Sequence, residues 1–571
     1  MTATAAPPRA VAPSASTSPA RRSPNWYAWS VGAALLAGLA LRIAIGLTDD
    51  APATDETAYL RSGLSIWNGD GFTRGGQAEL HFPPFVPFLL GGLDRIFTDP
   101  HLGTVWLTIV CGALLVIPLA ALARRVAGRN AGIATAWIAA LAPVVSTTLT
   151  NRGAGSEAVY TLLIVTGLWC TVVAATTERP LVQAAGAVGA GTTVALAYLT
   201  RPEALFIAVP FAVVLAAAVV REKPDIATRA RSLVVAGACF GIPIALAIVP
   251  YAMYLHDKTG KWELTAKTQD ASIEAWHAVA RADREARDQV LYELDPETME
   301  FVAGRSSLTA LAREDPSGYL GILRTNARML GETLVVPETD RFLEWLLLPA
   351  PLWLLVGYGA WRFRRSRTLW LIGATAALPV LTALAFFVQP RYLVLPAALA
   401  IVPLAAGLFA LPRRIVPVAA AGVLALCLLS SVSAFKGPGG WGHPADNTDQ
   451  REAGEWIAAN IDPDDRVMAR GMVTEFYADR DTVAIPYADL DTILEYADYY
   501  GTQYIAIDSY TVRRLRPQLR PLMSEEELPG LRLVYQARAE GRRTRVWAVE
   551  PAPPHDRPLG PPLGFTGDGG S

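Results

Sequence analysis

The sequence predicts a polytopic α-helical membrane protein with about eleven transmembrane helices and a small extracytoplasmic α/β domain at its C-terminus. Of the 571 residues, 52% are hydrophobic and 18% are charged, and the mean hydropathy is +0.29, which is too apolar for a soluble chain of this length. Apolar runs of membrane-spanning length recur along the chain. After about residue 435 they give way to short, alternating helix-like and strand-like segments.

Runs long enough to cross a bilayer begin near Trp26, Gly103, Ala131, Ala158, Val182, Ala204, Ser232, Leu343, Leu369, Leu393 and Ile415. If the N-terminus is cytoplasmic, every connecting segment on that side is basic, as the positive-inside rule requires. These segments contain Arg21–Arg22, Arg124–Arg125 with Arg129, Arg179, Arg221 with Lys223, the run RFRRSR from Arg362, and Arg413–Arg414. We therefore expect a multi-pass protein of a bacterial plasma membrane with a cytoplasmic N-terminus.

This topology divides the chain into a membrane module, an outer domain and two tails. The predicted parts are a disordered cytoplasmic tail (1–24), a transmembrane module (25–434) with outer loops at 48–100 and 256–342, an extracytoplasmic α/β domain (435–550) and a disordered tail (551–571). All cysteines fall inside apolar runs, which predicts no disulfide and no thiol metal site: Cys111, Cys170, Cys239 and Cys427.

Within the outer domain, "GEWIAANI" and "DLDTILEYADYYG" have helical spacing, whereas "DRVMARG", "TVAIPY" and "TQYIAIDSY" are typical of strands. "LRLVYQARAE" and "RRTRVWAVE" predict a closing hairpin. The glycines of "GAVGAG" lie inside an apolar run with no strand before them, which favours close helix packing over a nucleotide-binding turn.

Two adjacent carboxylates, Asp55 and Glu56, follow the first apolar run. The segment "TDETAYLRSGLSIWNG" predicts a short helix with Thr54 as its N-cap. Apolar residues at i, i+4 and i+7 suit this helix to lie along the membrane surface. Acids in a first turn are favoured by the helix dipole, so a purely structural role for the pair stays open beside a catalytic one.

Three arginines lie at helix ends on the predicted outer face, where the positive-inside rule does not expect basic residues: Arg152, Arg201 and Arg391. A single arginine there usually only extends its guanidinium to the interface. Several on one face favour an anion site, because the planar guanidinium donates two hydrogen bonds at once to a phosphate.

Other polar residues on this face are weaker candidates. Glu157 most resembles a helix-capping charge, although a substrate contact or a ligand for a divalent cation stays open. His81 precedes a proline-rich run and is a further candidate for such contacts. No HExxH, paired Cys-x-x-Cys or Ser-His-Asp pattern is present, which disfavours hydrolase and zinc-protease functions.

With these residues in place, the chain resembles the GT-C class of integral membrane glycosyltransferases. It is most similar to the family 39 group, related to protein O-mannosyltransferases and to aminoarabinose transferases that modify lipid A. The resemblance covers most of residues 26–545 and rests on "DETAYL", "NGDGF", "FPPFVPFLLGGL", "SEAVY", "LTRPEAL", "TGKWELTAKTQ" and "PRYLVLPAALA" in this order.

The resemblance implies a sugar donor carried on a polyprenyl monophosphate and an essential first-loop acid, which matches Asp55 with Glu56 beside it. Glu157 and His81, with Tyr59 of "DETAYL" and Tyr392 of "PRYLVL", are candidate contacts to substrate or metal. The sequence assigns no particular cofactor, and a divalent cation stays open. We expect a lipid, glycan or protein acceptor, a lipid bilayer around the chain, and no nucleic-acid partner.

The chemistry fits the same residues. An extracytoplasmic transferase has no nucleotide sugars and needs a lipid-linked donor. Asp55 would accept the proton of the acceptor hydroxyl or amine while Arg201 and Arg391 stabilise the departing phosphate, in one inverting displacement.

The alternative function is that of a protein that binds or flips a polyprenyl-linked glycan without transferring it. A transporter predicts charged residues along the helix middles, which are nearly free of them.

Overall fold

The computed structural model describes residues 25–47, 52, 54–97, 99–151, 155–222, 225–267, 272–279, 283–302, 307–336, 347–436, 447–480, 482–539 and 541–561. The predicted N-terminal tail lies outside these residues, as does the end of the predicted C-terminal tail.

Helices of membrane-spanning length and composition confirm the predicted fold class. Among the described residues, nine helical stretches are long and apolar enough to cross a bilayer. They are Trp26–Gly46, Pro100–Ala127, Ser156–Thr176, Pro180–Tyr198, Ala204–Arg221, Ile226–Thr259, Arg367–Ala385, Pro390–Ala410 and Val416–Ser433.

The other two predicted spans contain shorter helices. Arg129–Leu141 continues through the π-helix Val144–Thr148 into Leu149–Asn151, so the three pieces together approach the length of a span. The run predicted from Leu343 contains the helix Leu352–Arg362, and its beginning lies outside the described residues.

The buried side chain of Arg42 bonds to the backbone where the helix is interrupted before this π-helix. Pro143 has no N–H, so it leaves the carbonyl of Ala139, four residues earlier, without its helical partner. The guanidinium of Arg42 donates to this carbonyl at 3.0 Å and to the carbonyl of Val145 at 3.1 Å. A cation inside the first span therefore satisfies backbone groups that a regular helix would pair.

The helix predicted after the first apolar run is present as Thr54–Asn68, here called the interfacial helix. It packs on the helix Phe85–Asp94 with their backbones in close contact, so that a Cβ on Gly63 would collide with the carbonyl oxygen of Pro87. A short hairpin of β1 (Thr73–Arg74) and β2 (Gln77–Ala78) joins the two helices.

Small residues also pack the helices containing "GAVGAG", as predicted. A Cβ on Gly191 would collide with the carbonyl oxygen of Phe240, in the neighbouring span. The glycine-rich run is therefore a helix contact and not a nucleotide-binding turn.

Past the span Ile226–Thr259, a large loop contains the π-helix Glu274–Val279 and the helices Arg284–Tyr292, Leu308–Glu314 and Pro316–Val335. Its short strands β3 (Leu294–Asp295) and β4 (Glu300–Phe301) pair antiparallel.

The C-terminal domain, residues 447–561, is a small α/β unit built on one mixed sheet, as predicted. Its strands are β5 (Arg466–Ala469), β6 (Thr482–Ala484), β7 (Thr502–Asp508), β8 (Glu527–Leu528), β9 (Leu531–Ala539) and β10 (Arg542–Val549). The order is β6-β5-β7-β10-β9-β8, with β5 parallel to β6 and β7, and β9 and β10 forming the predicted hairpin. The helices are Thr448–Asn460, Met472–Ala478, Leu490–Tyr499, Ser509–Arg514 and Pro521–Ser524.

The domain extends further than the sequence indicates. Residues 551–561, predicted as part of a disordered tail, lie against the sheet: the N–H of Ala484 donates to the carbonyl of Pro561 at 2.8 Å. Arg466 donates to the carbonyl of Arg557 at 2.9 Å. A Pro/Gly-rich segment can therefore add to an edge strand through backbone hydrogen bonds that composition does not reveal.

A buried ion cluster fastens the large loop to this domain. Asp288, on the loop helix Arg284–Tyr292, is fully buried and accepts from Arg516 at 2.7 Å and from Arg470 at 2.6 Å. Burial alone would raise the pKa of Asp288, but the two guanidinium groups hold it well below its usual range. The cluster lies at the carboxyl ends of β5 and β6, so the loop helix fills the crevice where open α/β sheets often bind ligands.

Replacing Asp288 by Asn should destabilise the protein by about 3–5 kcal/mol, because it leaves two buried guanidinium groups without a counter-charge. The matched control is Glu550→Gln, which removes an exposed pair with Arg532 and should cost less than about 1 kcal/mol. Thermal unfolding of the purified variants in detergent measures both. Equal midpoints for the two variants would contradict the cluster's structural role.

Candidate functional site at the membrane surface

The interfacial helix begins with Asp55 and Glu56 in its first turn. Consecutive residues of an α-helix point about 100° apart, so the two carboxylates cannot face one site. Asp55 accepts a hydrogen bond from Arg391 at 2.8 Å. Glu56 is buried and lies 2.7 Å from the ring of His101. The structure thus separates two residues that the sequence places together.

Arg391 stands in the 3-10 turn Pro390–Leu393, which leads into the helix Val394–Ala410. Besides Asp55, its guanidinium donates to the side chains of Gln389 at 2.9 Å and Tyr392 at 3.1 Å. The side chains of Arg391 and Asp55 are 29% and 30% exposed, so a ligand at the membrane surface can reach both.

Arg201 lies in the turn between Pro180–Tyr198 and Ala204–Glu222 and is held by two carboxylates. It contacts Glu157 at 2.7 Å and Glu203 at 3.1 Å. Its guanidinium carbon lies 5.0 Å from the ring centroid of Tyr392, and that of Arg391 lies 5.1 Å from the same centroid. Tyr392 therefore joins the two arginines through cation–π contacts, and Glu157 pairs with a cation as well as starting a helix.

Lys267, in the large loop, completes the cluster and was missed by the sequence analysis. Its ammonium lies 4.8 Å from the ring centroid of Phe82. Burial lowers the pKa of Lys267, the charge of Asp55 raises it, and the nearby arginines lower it further. The residue lies within the quoted segment "TGKWELTAKTQ", but a lone lysine in a polar loop gives no local signal of burial.

Electrostatics keep Asp55 ionised. Burial would raise the pKa of its carboxyl, but Arg391, Lys267 and His81 together hold the pKa well below its usual range.

The ring of His81 packs against the ring of Phe82, with 4.5 Å between their centroids, and the ring of Tyr59 packs against the same phenyl ring at 4.6 Å. Burial followed by the negative charge of Asp55 raises the pKa of Tyr59, so its hydroxyl stays neutral.

Two further expectations from the sequence concern Arg152 and a divalent cation. Arg152 lies outside the described residues. Within the described part of the chain, no three His, Cys, Asp or Glu side chains group as metal ligands. Three site carboxylates instead face guanidinium groups: Asp55, Glu157 and Glu203. The divalent cation stays an open expectation.

The C-terminal domain holds the interfacial helix through side-chain hydrogen bonds. Arg61, in the second turn, donates to the backbone carbonyls of Glu475 and Arg480. The side chain of Asn447 donates to the carbonyl of Pro52 at 3.3 Å, just before the helix begins. The position of Asp55 therefore depends on a domain more than 390 residues away along the chain.

Known proteins resemble this chain in sequence and in fold. Residues 81–251 match the family model described as dolichyl-phosphate-mannose-protein mannosyltransferase. A search of curated protein sequences finds no match.

Solved structures of two membrane proteins are similar over most of the chain. The oligosaccharyltransferase of Archaeoglobus fulgidus, in complex with zinc and sulfate, is 17% identical with a TM-score of 0.56, over 84% of this chain and 68% of that one. ArnT from Cupriavidus metallidurans, bound to undecaprenyl phosphate, is 14% identical with a TM-score of 0.55, over 93% of this chain and 99% of that one. The sequence-based resemblance is confirmed: this chain is a multi-pass membrane protein with the fold of the GT-C integral membrane glycosyltransferases.

Proposed function

We propose that this protein is a glycosyltransferase that moves a sugar from a polyprenyl monophosphate to an acceptor hydroxyl or amine at the extracytoplasmic membrane surface. The observation that carries the proposal is the contact between Asp55 and Arg391, reachable from the surface and flanked by Arg201 and Lys267. The ArnT structure, which contains undecaprenyl phosphate, supports this donor class because its fold covers nearly the whole of this chain.

The cations of the site suit a phosphate to different degrees. Arg201 already contacts two carboxylates, Glu157 and Glu203, which largely neutralise its charge. Arg391 contacts one carboxylate, that of Asp55, and Lys267 forms no ion pair with another described residue. We therefore assign the donor phosphate mainly to Arg391 and Lys267, with Arg201 and Tyr392 positioning the guanidinium of Arg391.

Donor binding and base activation are coupled in this arrangement. A phosphate drawn to Arg391 competes with Asp55 for the same N–H groups. As Asp55 loses this partner, its pKa rises toward the usual carboxyl range, and it becomes a better proton acceptor. The base is thus held inactive until the donor arrives.

The transfer itself is one displacement. The acceptor oxygen or nitrogen forms a bond to the anomeric carbon while the bond from this carbon to the phosphate oxygen breaks. The electron pair leaves on the phosphate, which Arg391 and Lys267 stabilise, and the acceptor proton passes to Asp55. Such a displacement inverts the anomeric configuration, so a product that keeps the donor's configuration would contradict it.

Glu56 differs from Asp55 in this scheme. Its carboxylate is buried against His101, on another side of the interfacial helix. We assign Glu56 to holding that helix in place and Asp55 to the proton transfer.

Asp55→Asn should lower the transfer rate by roughly 10²–10⁴-fold, because the amide cannot accept the proton. Glu56→Gln is the matched control and should keep most of the rate per folded molecule while lowering thermal stability. The assay uses purified protein, radiolabelled polyprenyl-phosphate sugars and an extract of envelope acceptors. Full activity in Asp55→Asn would reject the assignment, and donor binding without transfer by the wild type would indicate a glycan-binding protein instead.

Arg391→Gln should shift the acid limb of the pH profile of kcat/KM to higher pH. In the wild type the pKa of Asp55 is depressed, so its ionised form persists as the pH falls through the usual carboxyl range. Without Arg391, burial dominates and protonation begins at higher pH. Arg95→Gln, which removes a guanidinium stacked on Trp67 outside the site, should leave the profile unchanged. An acid limb at the same pH in Arg391→Gln and wild type would contradict the electrostatic account.

A further inference from the structure

A second polar site lies at the opposite membrane face. A cavity of about 520 Å³ opens where the helix Val116–Ala127 ends and the helix Arg129–Leu141 begins, beside the connection between Val394–Ala410 and Val416–Lys436. Its lining residues are Ala127, Arg129, Asn130, Phe409, Arg413, Val416 and Pro417.

This cavity is separate from the candidate functional site. The helix Val394–Ala410 has 17 residues and begins directly after Arg391. At 1.5 Å per residue it is about 25 Å long, close to the thickness of the hydrocarbon core. Phe409 and Arg413 therefore stand at the far end of a span whose near end carries Arg391.

The charge of the cavity suits an anion. Its lining contains two arginines and an asparagine but no acidic residue. Both guanidinium groups are exposed, and within the described residues neither Arg129 nor Arg413 forms an ion pair. The helix Arg129–Leu141 also starts without a capping side chain, so no side chain neutralises the positive end of its dipole.

The remaining walls are apolar and belong to helices that cross the membrane. Phe409, Val416 and Pro417 line one side, at the level where spans leave the bilayer. A volume of about 520 Å³ lies in the range of small-molecule sites. A ligand with a phosphate next to apolar chains matches both halves of the lining, and basic cavities between transmembrane helices are known to bind such headgroups.

We propose that this cavity binds the phosphate-bearing headgroup of an anionic phospholipid from the leaflet opposite the candidate functional site. Arg129 and Arg413 would hold the phosphate, and Asn130 would donate to the headgroup. The alternative is that both arginines serve only to orient the chain in the membrane. Arg414 separates these explanations, because it adds the same topological charge next to Arg413 but does not line the cavity.

The test uses the full chain in detergent, titrated with phosphatidylglycerol or with phosphatidylcholine of the same acyl chains, with bound lipid counted by native mass spectrometry. We expect the wild type to prefer phosphatidylglycerol. Arg129→Gln and Arg413→Gln should each lose on the order of tenfold in affinity, because each removes a charge-assisted hydrogen-bond donor. Arg414→Gln should bind like the wild type.

Four results would overturn the proposal: equal binding of phosphatidylcholine, unchanged binding by the Arg129→Gln/Arg413→Gln double variant, an equal loss in Arg414→Gln, or displacement of the lipid by equimolar glycerol phosphate. The last result would indicate a soluble phosphate ligand. Because the substituted side chains are exposed, gel filtration should show the same monodisperse protein for every variant. The outcome does not depend on whether the protein transfers sugars.

Discussion

The ion pair between Asp55 and Arg391 is the contact on which the rest of the site depends. It joins residues 336 positions apart, one on the interfacial helix and one at the start of a candidate span. Its geometry requires the interfacial helix to pack closely on Phe85–Asp94 and to be held by the C-terminal domain through Arg61. Because both charged groups remain about 30% exposed, the pair is reachable and is not a sealed structural salt bridge.

The charges around this pair are balanced before any ligand binds. Asp55, Glu157 and Glu203 face Arg201, Arg391 and Lys267, so the cluster can lie at the membrane surface without a large net charge. A phosphate adds negative charge and must redistribute these contacts. The partner most easily released is the carboxylate of Asp55, which is also the group proposed to take the proton. Buried pairs elsewhere, such as the cluster around Asp288, cannot rearrange in this way and serve stability instead.

Much of this architecture follows from local sequence signals. The apolar runs predicted nearly all the spans, and the alternation of helix-like and strand-like segments predicted the C-terminal domain. Arg201 and Arg391 were singled out because arginines at outer helix ends depart from the positive-inside rule. Asp55 was singled out because two carboxylates follow the first apolar run and match the family's first-loop acid. Lys267 could not be found, since a lysine in a polar loop is ordinarily solvated. The partner of Glu56, His101, and the packing of residues 551–561 depend on tertiary contacts that no local pattern encodes.

The central claim is that a polyprenyl phosphate binds at Arg391 and draws it away from Asp55. A structure of the protein with undecaprenyl phosphate, determined by electron cryomicroscopy, measures this directly. We expect phosphate density within hydrogen-bonding distance of Arg391 and Lys267, together with a distance between Arg391 and Asp55 longer than the 2.8 Å of the present structure. Phosphate density elsewhere in the protein, with the ion pair intact, would contradict it.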